Sequence, residues 1–539
     1  MVMEENQSEK SATGLTGKKV VIISTVVLIL LIATTIFVVN FISTKAEKEL
    51  LAIVNSELAP NAVVDIGNFK LGLFPLRVSL DDVKLIHTAP FEEQTPQKPL
   101  HMIRAFELKH AELRGLNLFN MIFSDKWDIG SLTLDGIDLD LVRSSDRRLT
   151  DSTPVTEPLH VAISEITITN SRVYIFHDRS GSAPTYSTNN LYLWINNFEV
   201  QDPEKPLYTY FENFRIEADS FNHLTEDGFY EVSIEGLRAD SKEKTLYLSK
   251  VSNTPLLTPF QIASEVGFER DVYKIDGGPH LFTGFDIKSW MKSGDIHIGY
   301  AELNGLSLEI ERDKTLEIEP RENRPLLNRQ FKDLPFSFHA DSIAWKSGLL
   351  SYTEMFHEED RIGAILFTDI DLILTPVQNR SELDAIIVQA NARFMEASNL
   401  VAEFEFYPSE MGNHSVTASL SEMEFMELNS TLENLALVRV IDGNLKSLLL
   451  SFQADDNRAT GEMTLIYENL ELRFLDDEMA QGNISRIKSF IAKTFAIHSS
   501  NNDEELRLGM VDYEREKDRS MFNFWWRSIE TGLMDTVKR

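Results

Sequence analysis

The chain has 539 residues and no cysteine, with 52 Lys plus Arg against 84 Asp plus Glu, a formal net charge of −32. That balance repels phosphate backbones and sets nucleic-acid binding aside, while the absence of thiols excludes disulfide frameworks, thiolate metal sites and cysteine nucleophiles. At 43% hydrophobic and 25% charged residues it has the composition of a folded protein, long enough for several domains or one long repetitive one.

Residues 1–18 lack periodicity and are expected to form a disordered cytoplasmic tail. Residues 20–42, VVIISTVVLILLIATTIFVVNFI, run for 23 positions without a charge, enough for a helix through a hydrocarbon core of about 30 Å. A transmembrane helix is therefore expected over 19–43, with Val20, Val27, Leu31, Phe37 and Ile42 among its anchoring residues. The run is longer than a signal peptide's and is followed by STKAEKE instead of a small-residue cleavage site, so the anchor should be retained. Lys10, Lys18 and Lys19 precede it and favour a cytoplasmic N-terminus, with the rest of the chain across the membrane. Ala46, Leu50, Leu51, Val54 and Leu58 then continue a helical spacing, a stalk over 44–60.

Beyond Pro60 the period becomes two. Val78 and Leu80 alternate, Asp81 and Asp82 intervene, and Val83 and Leu85 resume. The same template recurs around Asp135–Gly136, Glu235–Gly236, Asn304–Gly305 and Glu468–Asn469. Asp-Gly and Asn-Gly favour the positive φ of type I′ turns, so each copy reads as a two-residue hairpin whose apolar residues share one face. Residues 115–143 align without gaps on 284–312, an offset of 169, and Val161, Ile163, Ile166, Ile168, Val173 and Ile175 match Phe338, Ala340, Ile343, Trp345, Leu350 and Tyr352 at an offset of 177. Duplication follows. The expected fold is mainly β: a long antiparallel meander sheet, curved and groove-like, with short helices. It divides into a first β-rich repeat over 61–280, a second over 281–380, a C-terminal β region over 381–482 and a helical segment over 483–539.

Catalytic patterns are missing. HEED at 357–360 has no second histidine at helical spacing, GLTGKK at 14–19 lacks phosphate-loop spacing, and no GxSxG or GxGxxG occurs. Asp138 and Asp140 alternate with Ile137, Leu139 and Leu141, which puts them on the polar face of a strand. No enzyme activity, metal or cofactor is expected. What remains is the apolar face, which either packs in a closed β-sandwich or forms a groove for acyl chains. Its groove-facing candidates are Leu132, Leu134, Ile137, Leu139, Ile166, Ile168 and Val173, with Leu303, Leu306, Leu308, Ile343 and Trp345 in the second copy. Near the C-terminus, Phe522, Trp525, Trp526, Ile529 and Leu533 recur at helical spacing, an amphipathic helix suited either to a membrane surface or to capping the sheet.

With its anchor, the chain resembles the AsmA-like proteins, bacterial relatives of the bridge-type lipid transport proteins. The resemblance is carried by DIGNFKLGLFPLRVSLDDVKL (65–85), LNLFNMIFSDKWDIGSLTLDGIDLDLVR (116–143), ISEITITNSRVYI (163–175) and the strands over 419–429, 442–454 and 461–472. It implies an inner-membrane anchor, a periplasmic β-rich body, phospholipid or another acyl-chain lipid as ligand, and a part in phospholipid transport or outer-membrane homeostasis. Outer-membrane or envelope proteins are implied as further partners. The family offers no catalytic residues, and this chain is shorter than its large members. The rival expectation is a structural or assembly factor with a closed sandwich that binds no lipid.

Overall fold

A computed structural model describes residues 55–56, 58–73, 76–94, 102–117, 126–143, 160–181, 183–202, 205–320, 323–356, 361–381, 384–475, 497–502 and 504–538. The expected anchor, with Val20, Val27, Leu31, Phe37 and Ile42, lies outside them, as do the tail, most of the stalk and the HEED segment. Among the described residues no helix is long and apolar enough to cross a membrane. The chain forms two compact units. One holds the residues up to His223 together with 236–243 and 291–294, and the other holds 224–235, 244–290 and 295 onward.

In the first unit, β1 (Ala62–Leu73), β2 (Leu76–His87), β3 (Ile103–Arg114), β4 (Lys126–Val142), β5 (His160–Phe176), β6 (Tyr186–Val200) and β7 (Asn213–Leu224) pair in chain order. Every pair is antiparallel except β4–β5, which is parallel. The expected all-antiparallel meander is therefore corrected. A parallel neighbour needs a crossover connection instead of a tight turn.

The second unit contains residues 230–235 of β8 (Tyr230–Asp240), then β9 (Thr245–Leu248), β10 (Lys250–Pro255), β11 (Asp271–Gly277), β12 (His280–Thr283), β13 (Ile296–Asn304), β14 (Ser307–Asp313), β15 (Phe338–Phe356), β16 (Arg361–Thr375) and β17 (Val377–Gln378). It continues with β18 (Ile386–Phe394), β19 (Ser398–Phe406), β20 (His414–Leu420), β21 (Met423–Glu424), β22 (Val438–Ala454), β23 (Arg458–Phe474) and β24 (Leu508–Glu514). Its helices are α1 (Pro259–Val266), most of α2 (Ile287–Ser293), α3 (Leu327–Lys332), α4 (Asn429–Ala436) and α5 (Met521–Val537). In both units the described strands follow one another by hydrogen bonding, so neither is built as two facing sheets.

The duplication is visible in the pairing. β9/β10, β11/β12 and β13/β14 are antiparallel neighbours, and β13 and β14 both pair in parallel with β15, which pairs antiparallel with β16. This is the order β2–β3–β4–β5–β6 again, with the parallel step in the same place. Details repeat at the 169-residue offset. The Asn117 N–H donates to the Asp128 carbonyl at 2.9 Å, and the Asp286 N–H donates to the His297 carbonyl at 3.1 Å. Gly115 (φ +72°) lies against Gly130, and Gly284 (φ +69°) against Gly299. A Cβ on Gly284 would sit 2.8 Å from the Gly299 nitrogen, so the close backbone approach requires glycine.

The five expected hairpins are not turns. Asp82 (φ +55°) lies inside β2, Gly136 (φ +68°) inside β4, Gly236 (φ +58°) inside β8 and Asn469 (φ +59°) inside β23. Gly305 (φ +56°) separates β13 from β14, but both pair with the uninterrupted β15 at one register. Each is an extra residue in a strand that runs on, as in a β-bulge. In the first unit the irregular residues align across the sheet. Gly67 and Asp82 fall between the pairs Ile66↔Val83 and Asn68↔Asp81, Lys109 and Gly136 between Leu108↔Ile137 and His110↔Asp135, and Asn170 opposite Gly136 between Thr169 and Arg172. Because neighbouring strands carry the extra residue at one level, the ladder keeps its register and the apolar residues stay on one face.

Candidate functional site

The predicted face is real in the first unit. Phe69↔Leu80↔Ala111↔Leu134↔Ile168↔Leu193↔Ile216 and Val78↔Leu113↔Leu132↔Ile166↔Ile195↔Phe214 run side by side across the sheet. Leu139 pairs with Val173 further along. Here the face is filled. Leu132, Leu134, Leu139 and Ile166 are buried in one cluster to which β1 through β6 contribute, and Ile137, Ile168 and Val173 pack against it. Leu58, Tyr210 and Phe211, from outside the strands, join the same cluster.

In the second unit the corresponding row crosses ten strands: Leu248↔His280↔Leu303↔Trp345↔Leu372↔Ala390↔Ala402↔Ala418↔Leu450↔Met463. Beside it runs Phe282↔Ala301↔Ile343↔Leu374↔Val388↔Phe404↔Val416↔Phe452. Leu303, Leu306, Leu308, Ile343 and Trp345 are only half-buried. Ile343 packs against the cluster around Ile298 and Val388, while the other four belong to none of the packed clusters. The Trp345 indole N–H donates to the Leu306 carbonyl at 3.0 Å, which satisfies its polar end.

Polar groups interrupt this face at two places. His280, second of the ten, is 2% exposed, and neither of its ring nitrogens makes a well-formed hydrogen bond among the described residues. Burial pushes its pKa down. Further along the same strands, beyond Leu308 and Ile310, Asp271↔Arg312↔Glu354 forms a charged row on β11, β14 and β15. The Arg312 Nε donates to Asp271 Oδ1 at 2.7 Å, and Lys314 and the Tyr352 hydroxyl both donate to Glu354 at 3.0 Å. Sequence reading missed this row. Its only signal is the replacement of apolar by charged residues at the last inward positions of two adjacent strands.

α5 caps one end of the face. Met521, Phe524, Ser528, Gly532 and Thr536 are buried, and Trp525, Ile529 and Leu533 pack against the cluster around Phe452, Met463 and Tyr467. The helix seats closely because Gly509 opposes Gly532, where a Cβ would collide with the Gly532 carbonyl. Trp525 stacks on Phe404 with ring centroids 5.5 Å apart, and its indole N–H donates to His414 Nε2 at 2.9 Å. The other His414 nitrogen, Nδ1, lies 2.8 Å from the Gly412 carbonyl. Asp535 and Thr531 accept from the N–H groups of Met510 and Asp512 at 3.0 and 3.2 Å, which covers the edge of β24. The five residues expected on one amphipathic face therefore divide: Phe522 and Trp526 are 57% and 46% exposed, and the other three face the sheet.

The polar face is laced by cross-strand bonds. Asp135 accepts from Thr169 and Asn170, both at 2.6 Å, and these bonds hold its carboxyl below the usual range. Asp138 pairs with Arg172, while burial followed by the Asp138 charge raises Asp140. His110 lies 2.7 Å from Asp81 and lowers its pKa through that bond. An open depression of about 590 Å³ over β18–β23 is lined by Gln389, Val401, Glu403, Leu449 and Glu462 among others. Among the described residues no group of three or more His, Asp or Glu is placed to hold a metal ion. No family model matches the sequence, and no curated protein is significantly similar to it.

Proposed function

We propose that the apolar face of the second unit holds the acyl chains of a lipid, and that the protein is an anchored, AsmA-like lipid-handling protein. In this reading residues 19–43 hold it in a bacterial inner membrane, the β-rich body stands in the periplasm, and the protein contributes to phospholipid transport or envelope homeostasis. The observation that carries the proposal is the half-burial of Leu303 and Trp345, within a row ten strands wide, and of Leu306 and Leu308 further along the same face, all four apart from the packed clusters. Such a face is costly to leave in water, and each methylene of an acyl chain laid on it contributes about 0.8 kcal/mol without any catalytic group. A trough of this kind works by burial alone.

The rival reading, an assembly factor without lipid, draws support from the first unit. There Leu132, Leu134, Leu139 and Ile166 are closed off by the protein's own side chains. The full chain, expressed in a Gram-negative host and purified in a mild detergent, separates the two by native mass spectrometry. Phospholipid retained at defined stoichiometry, and lost in Leu308→Asp, supports the trough. A lipid-free, well-folded protein supports the rival.

A further inference from the structure

The charged row Asp271–Arg312–Glu354 borders the half-buried apolar rows of the second unit. Moving along β14 and β15, Leu308 pairs with Leu350, Ile310 with Tyr352, and Arg312 with Glu354. The face thus passes from hydrocarbon to charge within two residue pairs. Asp271 and Glu354 are already answered within the protein, by Arg312 and by Lys314 with Tyr352. Glu269 is not. Its side chain is 8% exposed, its Oε2 has no hydrogen-bond partner among the described residues, and Arg312 Nη1 lies 3.9 Å from it, an ion pair without a hydrogen bond. Lys314, Glu354 and Arg519 also face it, and burial raises its pKa.

The fold does not require the acidic members of this row. Arg312 corresponds to Arg143 at the offset of the duplication, but Asp271 corresponds to Met102, and Tyr352 and Glu354 to Ile175 and His177, yet the first unit makes the same strand order and parallel step. Buried ion pairs are on average no more stabilising than well-packed apolar residues of similar volume. A buried carboxylate oxygen without a hydrogen bond lacks a donor that the described chain does not itself supply.

Resting on the acyl-chain reading above, we infer that Glu269 and Arg312 form a headgroup site for a zwitterionic lipid that carries both a phosphate and a primary ammonium. The ammonium donates to Glu269 Oε2, the phosphate accepts from the free edge of the Arg312 guanidinium, and the chains lie over Leu308, Ile310 and Leu350. An anionic headgroup without an amine would set its phosphate against Glu269 and leave that carboxylate unanswered.

The test uses the full chain in mild detergent with a fluorescent fatty acid as probe, displaced by dihexanoyl phosphatidylethanolamine or by dihexanoyl phosphatidylglycerol. The wild-type protein is expected to favour the ethanolamine lipid about tenfold, the scale of one charge-assisted hydrogen bond. Glu269→Gln, isosteric and neutral, should bring the two lipids within about twofold while probe affinity stays unchanged. Glu265→Gln, an exposed acid on α1, should leave the wild-type ratio intact. Equal displacement by both lipids, or selectivity that survives Glu269→Gln, overturns the headgroup site alone. Failure of the probe to bind overturns the trough and the headgroup site together.

Discussion

The contact between α5 and the sheet should weaken in acid, and His414 sets by how much. It is 3% exposed, Nε2 accepts from the Trp525 indole, and Nδ1 faces the Gly412 carbonyl, so the neutral ring with Nδ1 protonated satisfies both neighbours. The Phe406 ring stacks against it with centroids 6.0 Å apart, Asp455 favours its charged form and Arg515 opposes it, but burial dominates and lowers its pKa. A protonated Nε2 would point a hydrogen at the Trp525 N–H. The unfolded chain takes up this proton near pH 6.5 while the native ring resists it, so stability is full above pH 6.5 and falls as the pH drops below it. While the native ring stays neutral, each pH unit below 6.5 costs about 1.36 kcal/mol, the slope set by one proton. Urea unfolding followed by tryptophan fluorescence at pH 7.5, 6.5, 5.5 and 5.0, for the wild type and His414→Gln, measures it. The glutamine carbonyl can still accept from Trp525 but does not titrate, so the stability difference between the two proteins should move against the wild type as the pH falls below 6.5, by up to about 1.36 kcal/mol per unit. A difference that stays constant across the series refutes the reasoning.

Two aspartate substitutions should part company. Leu134→Asp, at a position 3% exposed, buries a carboxylate among hydrocarbon and should cost more than about 4 kcal/mol and abolish the cooperative transition of the first unit, read by circular dichroism. Leu308→Asp, on the half-buried face, should keep the melting profile and lose binding of a fluorescent fatty acid. Arg515→Ala removes a fully buried guanidinium from Asp456 and should destabilise the second unit by about 3–5 kcal/mol in urea titrations. Gly509→Val should lift α5 from β24, which limited proteolysis will register as new cleavage near Met521 with the rest of the second unit intact.

The face was legible in the sequence because strand alternation is local: Leu132, Leu134, Ile166 and Ile168 lie together as their spacing says they must. The repeat was legible too, since two copies of one unit keep their glycines wherever backbones meet, as at Gly115 and Gly284. The turns were misread for a definite reason. A two-residue hairpin of this type and the extra residues seen within these strands both take positive φ, and both return the apolar residues to the same face, so Asp135–Gly136 fits either. What separates them is whether the chain turns back on itself or continues beside a different neighbour, and that depends on pairing partners far away in sequence. The parallel β4–β5 pair was hidden for the same reason.

Composition and periodicity alone therefore determined a mainly β chain with one apolar face, a duplicated unit and a C-terminal amphipathic helix. Only the tertiary structure decided which part of that face is filled and which is half-open, because burial depends on what neighbouring elements bring to it. Leu134 and Leu303 occupy equivalent places in the repeat, yet the first is packed into a core and the second is not. The helix was decided in the same way. Its apolar residues are suited equally to a membrane surface and to a sheet, and Gly509 beside Gly532, with His414 placed to accept from Trp525, directs Trp525, Ile529 and Leu533 inward and leaves Phe522 and Trp526 to solvent.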